Sequence, residues 1–208
     1  SRLRWMRQGA WVTLGVVLCV GLGHQDHLLC PSDQIGNFAG QARWLQGHHS
    51  GHRVRAQGRG LKAQGEGLAL AVNPNTIIIR TSWVFSSHGN NFVKTMIRLL
   101  KERATLNVVS DQIGRPTYAK DLAIATLKII NELNGGNKIN GVYHYANKGV
   151  TSWFEFAQQI KINAGLSCEL IPINTAQFPT PAKRPAYSVL DTQKIETAIN
   201  LEIPSWKE

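Results

Sequence analysis

The sequence predicts an α/β protein, and three observations carry that prediction. From Asn73 onward, short apolar runs suited to buried strands alternate with longer segments of helical spacing. Turn signals such as Asn73-Pro-Asn75 and Gly135-Gly-Asn137 separate them. The strands after residue 73 number at most three or four, too few for a complete doubly wound sheet, so the rest must come from residues 1–72 or be absent.

Each element has its own reason. Thr76-Ile-Ile-Ile-Arg80 is a continuous apolar run suited to a buried parallel strand. Residues 90–103 carry Phe92, Met96, Ile97, Leu99 and Leu100 at helical spacing. Leu106–Val109 is a short strand, Asp111–Ala119 a Gly/Pro loop, and Asp121–Leu133 a helix with Leu122, Ala125, Ile129, Ile130 and Leu133 inward. Gly141–Ala146 is a strand, and Ser152-Trp-Phe-Glu155 is a capping box that opens a helix to about Ala164. Glu169–Ile173 is the next strand, Phe178–Pro185 a long loop, and a last short helix begins near Asp191 or Thr192. Ser-Asp-Gln-Ile-Gly occurs at 32–36 and again at 110–114, but the flanks do not match and the recurrence reads as coincidence.

The first 72 residues differ from the rest. They hold 12 of the 19 glycines, 5 of the 7 histidines and a single isoleucine, Ile35, against 16 isoleucines afterwards. The whole chain carries a net charge of +10; residues 1–72 carry half of that on about a third of the length. Charge alone does not make a nucleic-acid partner: His48, His49, His52, Arg53, Arg55 and Arg59 lack interleaved aromatics and read as a solvated loop. Three cysteines make no disulfide framework and fit a reducing, cytoplasmic setting. Cys19, His24, His27 and Cys30 match no zinc-finger spacing, so no metal site is expected. Arg2, Arg4 and Arg7 precede an apolar run from Ala10 to Leu22, shorter than the roughly 20 residues of a membrane span. A targeting segment, a buried strand or helix, and a non-native or poorly ordered tract all remain readings of that run.

Four motifs follow in order: RTSWVFSSHGNNFVKTM (80–96), DQIGRPTYAKDLA (111–123), GVYHYANKGVTSWFEFA (141–157) and PTPAKRPAYSVLDTQKI (179–195). Together they closely resemble the dTDP-4-dehydrorhamnose reductase family, extended short-chain dehydrogenases/reductases of nucleotide-sugar metabolism. The likeness runs from about Lys62 to the end. It implies an incomplete NAD(P)-binding Rossmann-like domain plus a smaller C-terminal substrate-binding α/β part, with residues 1–60 an atypical, non-native or disordered region and 61–208 the reductase part. The implied reaction is NADPH- or NADH-dependent reduction of dTDP-4-dehydro-β-L-rhamnose to dTDP-L-rhamnose. A tyrosine of a Tyr-x-x-x-Lys pair gives the proton, the lysine lowers its pKa, and a Ser or Thr orients the ketone.

Residue by residue, the resemblance makes Trp83 a wall for the sugar. It gives Asn90, Asn91 and Phe92 to diphosphate recognition, Gln112, Arg115, Pro116 and Thr117 to the loop over the nucleotide, and Lys183, Arg184 and Pro185 to phosphate binding. Arg115 stands where the family often has a smaller residue. Bland alternatives stay open: Trp83 and Phe92 as core, Arg115 and Arg184 as solvated charges, Asn90 as a helix cap, and Tyr118, Tyr143 and Tyr145 as packing residues. Lys62, within Lys-Ala-Gln-Gly-Glu66, matches the catalytic lysine, and Ser32 matches the ketone-orienting hydroxyl.

The cofactor side departs from the pattern. Gly21-Leu-Gly23 has no third glycine in register, and Gly58 stands where the catalytic tyrosine belongs. All these losses fall before Lys62, as a shifted reading frame or a mis-joined coding region would produce. The expectation is a reductase chain inactive alone, with a dTDP-sugar as partner, room for a homodimer, and neither nucleic acid nor membrane. The alternative is a non-catalytic, sugar-nucleotide-binding or regulatory relative.

Overall fold

The computed structural model describes residues 15–18, 54–180 and 184–208, with 15–18 and 54–62 as backbone. The chain divides into two compact units, one of Ser1–Leu18 with Thr76–Glu208 and one of Cys19–Asn75. In chain order the elements are β1 (Gly15–Leu18), α1 (Val54–Val72), β2 (Ile77–Thr81), β3 (Val84–Phe85), α2 (Phe92–Glu102), β4 (Thr105–Val109), β5 (Ile113–Gly114) and β6 (Thr117–Tyr118). They continue with α3 (Ala119–Asn134), β7 (Gly141–Tyr145), β8 (Thr151–Ser152), α4 (Trp153–Asn163), β9 (Glu169–Ile173) and α5 (Gln193–Ala198).

In the smaller unit, α1 runs through four glycines, each of which weakens a helix by about 1 kcal/mol relative to alanine. Leu68 and Val72 on it are exposed.

In the larger unit, β2 is the central strand of a three-stranded sheet of order β1-β2-β7. Its pairing with β7 is parallel, Ile77 opposite Gly141 and Thr81 opposite Tyr145. Ile77, Ile78 and Ile79 are all fully buried, so both faces of the strand are covered. This is why the run does not alternate. On the other edge β1 pairs antiparallel, Gly15 opposite Arg80. The apolar run that sequence left undecided therefore contributes a strand, and one antiparallel to β2.

A second parallel ladder joins β4 to β9, with Leu106 opposite Leu170. Here the pattern alternates: Leu106 and Val108 are buried while Thr105 and Asn107 are exposed. α2 and α4 pack on this ladder and on each other. α2 buries Phe92, Met96, Leu99 and Leu100, one stripe at helical spacing. These side chains join Leu106, Val108, Trp153, Phe156, Ala157 and Ile160 in one apolar cluster. The expected capping box opens α4: Ser152 Oγ accepts from the Glu155 N–H at 3.1 Å, and Glu155 Oε2 accepts from the Ser152 N–H at 2.8 Å.

The predicted helices and full-length strands appear within two residues of their expected bounds. The 111–119 loop differs, because it holds two short strands. β5 pairs antiparallel with β8, and β6 pairs parallel with β3. Two residues carry no periodicity, and each pairs with a segment about 30 to 40 positions away, so no local pattern announces them.

Candidate functional site

The site grows from the carboxyl end of β2, where chain leaving a parallel strand is free to meet a ligand. Three hydrogen bonds latch this end to residues 115–117. Thr81 Oγ1 donates to Thr117 Oγ1 at 3.2 Å, Ser82 Oγ donates to the Arg115 carbonyl at 3.0 Å, and the Thr117 N–H donates to the Trp83 carbonyl at 3.1 Å. Thr81 and Thr117 are fully buried. The latch leaves Trp83 at φ 50°, in the left-handed region. For a bulky L-residue this costs about 1–2 kcal/mol, so the surroundings must enforce it.

Those surroundings are aromatic. The Trp83 indole stacks on Trp153 with ring centroids 3.6 Å apart and planes 15° apart. Trp153 meets Phe92 at 4.5 Å, and Phe92 meets Phe156 at 5.4 Å. Phe85 stacks on Tyr118 at 5.4 Å. Phe92 is thus part of the core cluster, whereas Trp83 packs against that cluster and stays half-buried.

Arg115 is a polar residue tied to this wall, its carbonyl accepting from Ser82, whereas Gln112 makes its contact elsewhere. Arg115 is half-buried rather than solvated. Its Nη1 donates to the Leu190 carbonyl at 3.1 Å and to Thr192 Oγ1 at 3.3 Å, while its buried Nε has no partner among the described residues. Pro116 beside it is fully buried. Gln112 is buried and donates through Nε2 to Thr175 Oγ1 at 3.1 Å. Next to it, hydrogen bonds from the Thr175 hydroxyl and backbone N–H hold the Asp111 carboxyl below its ordinary value. Arg184 is half-buried, and burial pushes its guanidinium pKa down.

The helix cap falls to Asn91, not Asn90. Asn91 Oδ1 accepts from the Lys94 N–H at 3.1 Å, and its Nδ2 donates to the Ser86 carbonyl at 2.7 Å. Asn90 is exposed at the tip of the same turn.

At the end of β7, fully buried Asn147 joins three segments. Its Oδ1 accepts from the Tyr118 N–H at 2.8 Å, and its Nδ2 donates to Asp121 at 2.6 Å and to the Pro204 carbonyl at 3.3 Å. Burial raises the pKa of Tyr145, with the nearby Asp121 carboxylate adding to it. Burial also raises that of Tyr143. Both phenols are therefore weaker acids than a free tyrosine, as packing residues are.

The structure brings Trp83, Arg115, Pro116, Thr117 and, through Trp153, Phe92 into one neighbourhood. Gln112 lies on the adjoining strand connection. Ser32, the Gly21–Gly23 segment, the Cys19/His24/His27/Cys30 group and Lys183 lie outside the described residues, as does the side chain of Lys62 in α1. Trp153 and Gly114 belong to this neighbourhood although sequence reading assigned neither to it. In sequence Trp153 shows only as a member of the third motif and of the capping box, and its pairing with Trp83 spans 70 positions. Among the described residues no group of three or more His, Cys, Asp or Glu side chains could hold a metal ion. No described helix is long and apolar enough to cross a membrane.

Comparison with known proteins gives the family. The family model for the RmlD substrate binding domain matches residues 55–208. A dTDP-4-dehydrorhamnose reductase of Aggregatibacter actinomycetemcomitans is 44% identical over 153 residues, covering 70% of this chain and 52% of that protein. Among solved structures, a dTDP-4-dehydrorhamnose reductase ortholog of Clostridium acetobutylicum superposes with a TM-score of 0.64 at 42% identity, covering 70% of this chain and 50% of that one. The reductase of Bacillus anthracis in complex with NADP gives 0.57 at 44% identity, over 63% of this chain and 45% of that one. The chain thus spans about half the length of the relatives it matches. From residue 55 to its end, the chain belongs to the RmlD substrate-binding-domain family.

Proposed function

We propose that this chain is the sugar-nucleotide-binding part of a dTDP-4-dehydrorhamnose reductase, serving the reduction of dTDP-4-dehydro-β-L-rhamnose to dTDP-L-rhamnose. The observation that carries the reading is the clustering of separate motif segments around one half-buried indole: Trp83 itself, Arg115–Thr117 latched to it, and Trp153 stacked on it. An aromatic face suits a sugar ring, and Arg115 and Arg184 supply cationic hydrogen-bond donors suited to a diphosphate. Asn90 is exposed and free of the cap, whereas the amides of Asn91 and Gln112 are engaged within the chain and would position the loops rather than meet the ligand.

The cofactor of the relatives, NADP(H) or NAD(H), finds no dinucleotide turn among the described residues. None of their strands runs through a glycine-rich turn into a helix N-terminus, and the first turns of α2 and α4 are capped by Asn91 and Ser152. In this reading the described residues bind and orient the substrate, and the chain alone does not turn it over. Gly58 at the tyrosine position favours a second reading, a non-catalytic relative that binds the same ligand. Oxidation of NADPH by the chain alone with the keto sugar would exclude both readings.

Equilibrium binding of dTDP-L-rhamnose tests the proposal. The unaltered chain should bind saturably, and Trp83→Ala and Arg184→Ala should each weaken binding by about tenfold. Absence of saturable binding by a folded chain would refute it.

A further inference from the structure

We infer that Gly114 is a positioning residue, whose missing side chain holds the Trp83 indole in the stack and so shapes the sugar end of the site. A Cβ on Gly114 would come within 2.6 Å of both Cε2 and Cζ2 of Trp83, and 3.0 Å from Ser188 Oγ. No side chain fits at 114 while Trp83 keeps its place. Trp83 cannot yield by sliding along the stack without losing the 3.6 Å contact with Trp153. Nor is its backbone free, since its carbonyl is bonded to the Thr117 N–H and its φ is 50°.

The fold places the two neighbours of Trp83 through one short ladder. Gly114 pairs with Thr151 across β5–β8, and Trp153 begins α4 directly after β8. The same two-residue pairing thus sets the spacing between the glycine and the tryptophan that touch Trp83. Its register is reinforced on the other side of β5, where the Ser188 N–H donates to the Ile113 carbonyl at 2.9 Å. The half-buried indole keeps accessible area for a ligand. A methyl group at 114 therefore acts on the ligand through Trp83, without needing to touch it. What lies against the indole rests on the sugar-nucleotide reading above; the steric coupling of 114 to 83 does not.

The test is a double-mutant cycle on the full chain: Gly114→Ala, Trp83→Leu and both together. It is read by thermal unfolding, by the exciton circular dichroism of the stacked indoles, and by binding of dTDP-L-rhamnose and of dTDP. Gly114→Ala should lower the unfolding temperature and abolish the couplet with Trp83 present, yet change the unfolding temperature little in the Trp83→Leu background. It should weaken dTDP-L-rhamnose on the order of tenfold or more, and dTDP far less. If Gly114→Ala fails to fold, recovery of folding in the double variant still supports the coupling, and continued failure overturns it. Equal destabilisation in both backgrounds, or an unchanged couplet, overturns the inference whatever binds. If the unaltered chain binds neither nucleotide, the sugar-nucleotide reading fails on its own, while the cycle still decides the positioning of Trp83.

Discussion

The two parallel ladders of the larger unit have five paired residues each but are built differently. In β2–β7 the central strand buries Ile77, Ile78 and Ile79 in succession, on both of its faces. In β4–β9 one face meets α2 and α4, and the other presents Thr105, Asn107 and Ile171. The difference bears on where a site can be built. A strand clamped on both faces makes a stiff base, and Trp83 with its left-handed backbone stands two residues beyond the end of that strand. The one-sided ladder instead frames the aromatic core that supports the indole from behind.

Substitutions can break this contrast, beginning with its largest element. Trp153→Ala should destabilise by about 3–5 kcal/mol in denaturant unfolding, since Trp153 joins the core cluster to the Trp83 stack. Ile78→Ala should cost about 2–5 kcal/mol, because no neighbour on a strand covered on both faces can collapse into the gap. Ile171→Ala removes the same atoms from the other ladder. With Ile171 39% exposed, the cost should be no more than about 0.5 kcal/mol. Equal losses at 78 and 171 would mean that the two ladders are not differently buried.

Ser152→Ala should cost about 1 kcal/mol by opening the cap of α4. A pH effect at the same cap is the smallest. The Ser152 backbone N–H is the main group holding the Glu155 carboxyl below its ordinary value, with the Ser152 and Thr151 hydroxyls assisting. A depressed carboxylate pKa gives stability that is fully present above the unfolded-state value, about 4.3, and lost as pH falls through the folded-state value. Melting curves at neutral pH and below pH 4.3 should therefore show a smaller acid loss for Glu155→Gln than for the unaltered chain.

The elements that sequence made legible are those with a long repeat. The isoleucine run of β2, the Phe92/Met96/Leu99 stripe and the Ser152–Glu155 capping box each state their structure within a dozen residues. The candidate site was legible as residue types, because Trp83, Gln112, Arg115 and Thr117 sit in recognisable motifs. Its assembly was not. The Trp83–Trp153 stack, the Gly114 contact and the Asn147 junction join positions roughly 26 to 70 apart, and neither period nor propensity records such pairs. β1 stayed undecided for a related reason: the apolar run from Ala10 to Leu22 allows a strand but does not reveal the direction of its partner.

Calorimetric titration of the folded chain with dTDP, and separately with NADPH, tests most directly the claim that this is the substrate side of a reductase. Saturable heat with dTDP and none with NADPH is the predicted result. Binding of NADPH without dTDP would contradict it.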